Sequence, residues 1–312
     1  MNIPQPQPSR LNWRTVTTSD KQNLPQLDAA CKEKDGYELV SDMPSEVMAA
    51  YTADPHRTVC AAYNNTIAAI CWLQPTTLTN HEICVNLGGR VHPEFRRQGL
   101  GSFLLQWAES YSSLTFKSRA GLRLVIRNEA LTADAHTIYQ DFGYEQELAE
   151  HMLVCSLQET LPYPSLPEGL HTQAWDAQSS TGFFHAYQAS FRDLPGFQNL
   201  QAEDWISDFE SGAGFQPALS RVVFSAGQSV AFITCSELGG FGWISQVGVV
   251  PKLRGQGIAF GLIAEVLHQF CTLGYKEVGL FVNVFNAGAA LVFHQLGFRR
   301  KLTRANYVKV TR

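Results

Sequence analysis

Hydrophobic and polar positions follow two periods along this chain, and the order in which the periods alternate occurs twice. Short runs rich in Val, Ile, Phe and Trp are separated by stretches where apolar residues return every three or four positions. In the first half "LNWRTV" predicts a short strand, "TVCAAY" and "TIAAICWL" a hairpin about Asn64 and Asn65, and "EICVNLGGRV" a further strand. Leu104, Leu105, Ala108 and Tyr111 then fall at helical spacing, followed by the strand "GLRLVI" and a helix ending at "DFGY". The second half reads "LHTQAW", the helical stretches "STGFFHAYQASF" and "AEDWISDF", the hairpin "RVVFSA" and "SVAFITCS" about Gly227 and Gln228, and the strand "GWISQVGVV". A helix carrying Leu262, Ile263, Val266, Leu267 and Phe270 follows, then "EVGLFVNV" and a helix ending at "QLGF". Each half closes on a β-like run. The order βααβββαβαβ predicts an α/β fold, a mixed sheet with helices packed on it.

One offset relates the halves: 257 − 99, 254 − 96 and 251 − 93 all equal 158, matching Gly with Gly, Arg with Arg and Pro with Pro. A period this long indicates domain duplication rather than a solenoid array. "QETLPYPSLPEGL" holds three prolines and little periodicity and reads as a linker. The expected organisation is a domain over 1–160, a linker over 161–168 and a domain over 169–312. A length of 312 residues suits two cores of about 150 residues each.

Composition narrows the partners. The net charge is -4 and no run of Lys and Arg exceeds the three residues "RRK", so the basic footprint of a nucleic-acid binder is missing. The seven cysteines are odd in number and contain no CxxC pair, which excludes a disulfide framework and a thiolate metal site. They read as small buried hydrophobes in a reducing compartment. "MNIPQPQPSR" has neither a charged nor an apolar signal region, and no window offers about 18 apolar residues. The expectation is a cytoplasmic protein without a membrane partner or metal, monomeric or homodimeric.

Candidate chemistry sits in the repeated turns "RRQGLG" and "RGQGIA". A strand, a glycine-rich turn and a helix present unpaired backbone N–H groups at the positive end of a helix dipole, which is an anion site. Gly99 and Gly257 let the backbone approach a pyrophosphate, Gly101 and Ala259 stay small at the helix start, and Arg96, Arg97 and Arg254 add cationic donors. Neither GxGxxG nor GxxxxGK[ST] is present, which weakens hydride transfer and nucleotide hydrolysis as functions.

The pattern R-x-x-G-x-G/A after a strand and a proline resembles the cofactor loop of the GCN5-related N-acetyltransferases. "VGVVPKLRGQGIAFGLI" and "GLFVNVFNAGAALVFHQLGF" resemble two of that family's motifs, as do "RVHPEFRRQGLGSFLL" and, more loosely, "LVIRNEALTADAHTIYQDFGY". The tandem arrangement is similar to the mycothiol synthase type. The resemblance implies two acyl-coenzyme A N-acyltransferase domains binding acetyl-coenzyme A. The implied cofactor residues are Gly89, Arg90, Val91, Arg96, Arg97, Gln98, Gly99, Leu100 and Gly101 in the first half. In the second they are Val247, Gly248, Val249, Arg254, Gly255, Gln256, Gly257, Ile258, Ala259, Asn286 and Ala289. A strand bulge supplying an N–H to the oxyanion is implied over Gly89 to Val91 and Val247 to Val249.

The acid that protonates the leaving thiolate is, by the same resemblance, a tyrosine four residues before the glycine of the "LGF" ending. That position is Tyr139 in the first half and Phe293 in the second, where Tyr307 is an alternative hydroxyl. Asn286 stands eleven residues before Gly297, and Thr132 stands eleven before Gly143. The first half thus keeps the acid and the second the better cofactor frame. Glu82 stands where some family members place a carboxylate but reads first as a solvated edge-strand residue, and His92 and His294 read as solvated or structural. Residues 183–209 and 24–51 are expected to wall the acceptor clefts, with Phe191, Trp205, Asp204 and Asp208 on an amphipathic helix. The leading expectation is acetyl transfer to a small-molecule amine, with one domain degenerate; the alternative is a non-catalytic coenzyme A sensor or scaffold.

Overall fold

The computed structural model describes residues 11–36, 42–64, 66–78, 83–116, 121–157, 166–193, 197 and 199–311. Its contacts divide the chain into two compact units, one of Met1–Glu150 with Leu302–Arg312 and one of His151–Lys301.

The first unit runs β1 (Asn12–Arg14), α1 (Leu24–Asp35), α2 (Met43–Ala53), β2 (Thr58–Tyr63), β3 (Thr66–Thr77), β4 (Ile83–Val91), α3 (Leu100–Thr115), β5 (Leu122–Asn128) and α4 (Ala133–Asp141). Strands β1 to β4 pair antiparallel in sequence order, and β4 pairs parallel with β5. Local chemistry sets the ends of the helices. Pro25 occupies the first turn of α1, and Gly36 closes it with φ 74°. Asp42 caps α2 by accepting from the Ser45 N–H at 3.2 Å. On the face covered by α1 and α2, Leu24, Leu27, Met43 and Val47 pack with Ile70 and Trp72 of β3. Asp20 anchors the entry strand: its carboxylate accepts from both terminal nitrogens of Arg14, at 2.6 and 2.7 Å, and from the Thr17 N–H at 2.8 Å.

The second unit repeats this order with β7 (Leu170–Ala174), α5 (Ser180–Phe191), α6 (Ala202–Ser211), β8 (Arg221–Ser225), β9 (Gln228–Leu238), β10 (Phe241–Val249), α7 (Ile258–Thr272), β11 (Glu277–Asn283) and α8 (Ala287–Gln295). The hairpin predicted about Gly227 and Gln228 turns one residue earlier, at Ala226 and Gly227, with φ 47° and 77°, the backbone of a primed turn that matches the strand twist. Alternate residues of β9 face opposite cores. Ala231, Ile233 and Cys235 meet Leu262, Val266 and Phe270 of α7, whereas Phe232 meets Trp175, Phe183 and Trp205 under α5 and α6.

The compact units depart from the linear division at 160 and 169. The closing strand of the chain, β12 (Arg299–Thr311), runs antiparallel to β5 with Tyr307 opposite Ile126, so Leu302–Arg312 completes the first unit. Within β6 (Glu145–Ser156), residues from His151 onward belong to the second unit, where Leu153 and Cys155 join its core. As the last strands of two copies, β6 and β12 occupy equivalent places in the repeat, and periodicity does not say which unit each joins. Residues 158–165, which hold most of the expected linker, lie outside the described residues.

Five cysteines are buried as expected, whereas Cys84 is half-buried and Cys271 exposed. Burial pushes the Cys60 and Cys71 thiols up to about 11 and about 12. Among the described residues no helix is long and apolar enough to cross a membrane.

Candidate active site

In the first unit the parallel pairing of β4 and β5 ends at Leu87 opposite Ile126. The edge of Gly88–Val91 that faces away from β3 then opens on a cavity of about 550 Å³. Gly99–Ser102 at the start of α3, Asn128–Ala130 at the end of β5 and Tyr139 on α4 complete its walls. Of the residues expected in this half, Gly89, Arg90, Val91, Arg96, Arg97, Gly99, Leu100, Gly101 and Tyr139 all line it. Gln98 instead donates to the Glu94 carbonyl.

The turn has the backbone of an anion cradle. Gly99 is the N-cap of α3 with φ 78° and no side-chain cap, so the first-turn N–H groups have no partner within the helix. Gly257 caps α7 with φ 79°, again without a side-chain cap. The position two residues earlier is also left-handed in both copies: Gly255 with φ 76° and Arg97 with φ 60°. Arg97 holds that conformation at a cost of about 1–2 kcal/mol, at a place where the second copy has glycine. These uncapped helix starts fit a diphosphate.

The arginines expected to reach that diphosphate are used differently. Arg96 donates from Nε to the Val91 carbonyl at 3.1 Å and, through both terminal nitrogens, to the Asp35 carboxylate at 2.6 and 2.8 Å. Arg254 donates from Nε to the Val249 carbonyl at 3.1 Å and from a terminal nitrogen to the Ser190 carbonyl at 2.7 Å. Both therefore tie the end of a strand to the C-terminal end of the first helix of their unit, an architectural role. Arg97 forms a fork with Asp134 of α4, at 3.0 Å on each carboxylate oxygen.

The expected bulge is absent from the first unit and displaced in the second. β4 pairs with β3 in unbroken register from Ile83 to Val91, so Gly89–Val91 contains no bulge. In β10 the irregularity lies between Ile244 and Gln246, and Val247–Val249 pair regularly with β9. Gly248 has a packing reason: a Cβ there would stand 2.8 Å from both Phe232 and Ser190.

Tyr139 and Phe293 differ by more than a hydroxyl. The Tyr139 oxygen accepts from Asn128 Nδ2 at 2.9 Å, and burial raises its pKa, opposed by that bond and by Arg90. Phe293 is buried in the core of its unit against Phe298, with ring centroids 5.5 Å apart. Tyr307 lies in the first unit, 4.8 Å ring to ring from Tyr139, and its hydroxyl meets His136 Nδ1 and Gln146 Oε1, so it is no substitute acid for the second unit. Asn286 and Thr132 do the same work: each caps its helix, accepting from Ala289 N–H at 3.1 Å and Ala135 N–H at 3.2 Å. Ile258 is a core residue, and Ala259 and Ala289 pack against that core.

Family models place the deciding similarity over these same segments. An acetyltransferase (GNAT) domain model matches residues 54–146, and an acetyltransferase (GNAT) family model matches residues 178–298. The chain belongs to the GCN5-related N-acetyltransferase superfamily. It carries two GNAT domains in tandem. A protein of Thermobispora bispora named mycothiol acetyltransferase is 26% identical over 91% of this chain and 94% of its own length. A Renibacterium salmoninarum protein of the same name is 26% identical, but the match spans 67% of this chain and 63% of the relative. A crystal structure of a GNAT protein from Sphaerobacter thermophilus, 25% identical, superposes with a TM-score of 0.71 over 97% of this chain and 96% of its own.

In a GNAT domain the acyl acceptor needs a site beside the cofactor cleft, and the face under α1 and α2 offers side chains that periodicity did not single out. Asn86 lies opposite Gln74, and Arg90 stands 5.9 Å from the Trp72 ring. Glu46 on α2 accepts at its carbonyl from Gln74 Nε2 at 3.5 Å; burial raises its carboxyl pKa, opposed by the Arg90 charge and the Trp72 hydrogen bond and reinforced by Glu129. Glu82, the carboxylate considered from sequence, lies outside the described residues. In the second GNAT domain the corresponding face is an aromatic cluster, with Trp205 buried 5.1 Å from the Tyr187 ring and Phe191 packed beside it. Asp204 and Asp208 are exposed, as an amphipathic helix requires.

Proposed function

We propose that the protein is an acetyl-coenzyme A dependent N-acetyltransferase acting on a small-molecule amine, and that its first unit performs the transfer. The observation that carries this reading is the Tyr139 hydroxyl on the cavity wall, oriented by Asn128 where the second unit has Phe293. The fit of the cofactor rests on the uncapped starts of α3 and α7 and on the opened edge of β4. Acetyl-coenzyme A, when bound, supplies the thioester that is cleaved. Gly99–Ser102 would hold its phosphates in the first unit, and Gly257–Ala259 would do so in the second.

The chain's own residues then move the protons. Glu46 takes one from the incoming ammonium, leaving a neutral amine whose nitrogen bonds the acetyl carbon as the C–S bond breaks; Tyr139 delivers its hydroxyl proton to the departing thiolate and regains one from the nitrogen as the amide forms. The name of the relatives, mycothiol acetyltransferase, supports a small-molecule acceptor, and the acidic group Glu129 on the cavity wall, with Glu46 on α2, supports a cationic one. Titration of released thiol with acetyl-coenzyme A and a panel of primary amines tests the function. Thiol release that depends on amine is expected, and none across the panel would overturn the reading.

A further inference from the structure

We propose that Asp134 is a specificity-determining residue of the first unit: its carboxylate occupies Arg97 as an internal competitor of the cofactor's phosphates. The inference rests on the reading that this cavity binds coenzyme A.

Three observations converge on it. The fork between Arg97 and Asp134 joins the anion turn to the first turn of α4, and both residues line the cavity. The pair is open to solvent, with 81% and 55% of the two side chains exposed, so it adds little to stability. Yet Arg97 adopts φ 60°, a conformation that its counterpart meets with glycine. That counterpart is Gly255, since 255 − 97 is 158, and the counterpart of Asp134 is Gly288, since 288 − 134 and 297 − 143 are both 154. Both partners are thus absent together from the second copy.

The neighbouring arginine shows why Arg97 alone is exchangeable. Arg96 is committed to the Val91 carbonyl and to Asp35, whose side chain is only 13% exposed. Among the described residues Arg97 has no backbone acceptor holding it, and a phosphate presents the same two-oxygen edge as a carboxylate with greater charge. A phosphate entering the turn takes the guanidinium from Asp134. A ligand without phosphate leaves the pair intact and draws nothing from it. The first unit is therefore tuned to phosphorylated ligands, and its turn is held near charge balance until one arrives.

Calorimetry on the full chain carrying Gly257→Glu, which silences the second turn, tests the idea with coenzyme A and phosphate-free pantetheine as probes. Asp134→Asn is expected to tighten coenzyme A by about three- to tenfold, and Arg97→Gly to weaken it by about tenfold. Pantetheine affinity should stay constant in both, and inorganic pyrophosphate should compete with coenzyme A more strongly in Asp134→Asn. The double variant should match Arg97→Gly, because Asp134 acts only through Arg97. Unchanged coenzyme A affinity in Arg97→Gly, or weaker binding in Asp134→Asn, would overturn the inference while leaving the cofactor reading intact. Failure of the Gly257→Glu protein to bind coenzyme A at all would overturn both.

Discussion

Asn128 and Tyr139 are joined by a hydrogen bond whose direction the structure determines. The Asn128 Oδ1 accepts from the Ala130 N–H at 3.1 Å, which leaves Nδ2 to donate to the tyrosine oxygen at 2.9 Å. With its oxygen accepting, Tyr139 keeps its own proton free to donate. The second unit preserves the turn, Asn283 Oδ1 accepting from the Phe285 N–H at 2.9 Å, but its residue in the place of Tyr139 is Phe293.

Tyr139→Phe should lower kcat by about 10²-fold with coenzyme A affinity unchanged, the pattern of a group that acts on the departing thiolate. Asn128→Ala should give a smaller loss in kcat. Steady-state kinetics paired with calorimetry checks both, and a wild-type rate in Tyr139→Phe would leave that tyrosine structural.

Gly99→Glu and Gly257→Glu each place a carboxylate in an anion turn and force a side chain into a left-handed backbone. Each should abolish coenzyme A binding in its own unit only, so the stoichiometry by calorimetry falls from two to one per chain. Because both glycines share nearly the same φ, 78° and 79°, the backbone cost is matched between the variants.

The pH profile of kcat should be displaced upward on both sides. Burial raises the Glu46 carboxyl and the Tyr139 hydroxyl alike. A base works ionised, so activity climbs through a value above the ordinary glutamate pKa of about 4.3; an acid works protonated, so the alkaline limb falls beyond about 10. Both folded values exceed the unfolded ones. Their contributions to stability are therefore complete below the unfolded pKa and lost as pH rises through the folded pKa. Glu46→Gln should remove the acid limb, and an unaltered limb would exclude Glu46 as the base.

Arg96→Met should destabilise the first unit by about 2–3 kcal/mol, since it strands the Asp35 carboxylate, and the 29% exposure of Arg96 keeps the loss below that of a fully buried pair. Coenzyme A affinity should change by less than about threefold. Denaturant unfolding and calorimetry separate the two effects, and a large loss of affinity with normal stability would return Arg96 to the cofactor.

What the sequence determined by itself is what repeats locally. The offset of 158, the order of elements in each unit and the two glycine turns follow from periodicity and backbone chemistry within short windows, and the contrast between Tyr139 and Phe293 from the family resemblance those windows carry. Contacts between distant residues were decided only by the tertiary structure. Arg96 reads as a phosphate ligand until Asp35, 61 residues earlier, is found holding it. Glu46 carries no motif and becomes a candidate only when α2 sets it near Arg90 and Glu129. The last strand shows the limit most sharply, because β6 and β12 occupy equivalent places in the repeat. Alternation specifies that each forms a strand with one buried face, and only the packed cores select which unit Leu302–Arg312 completes.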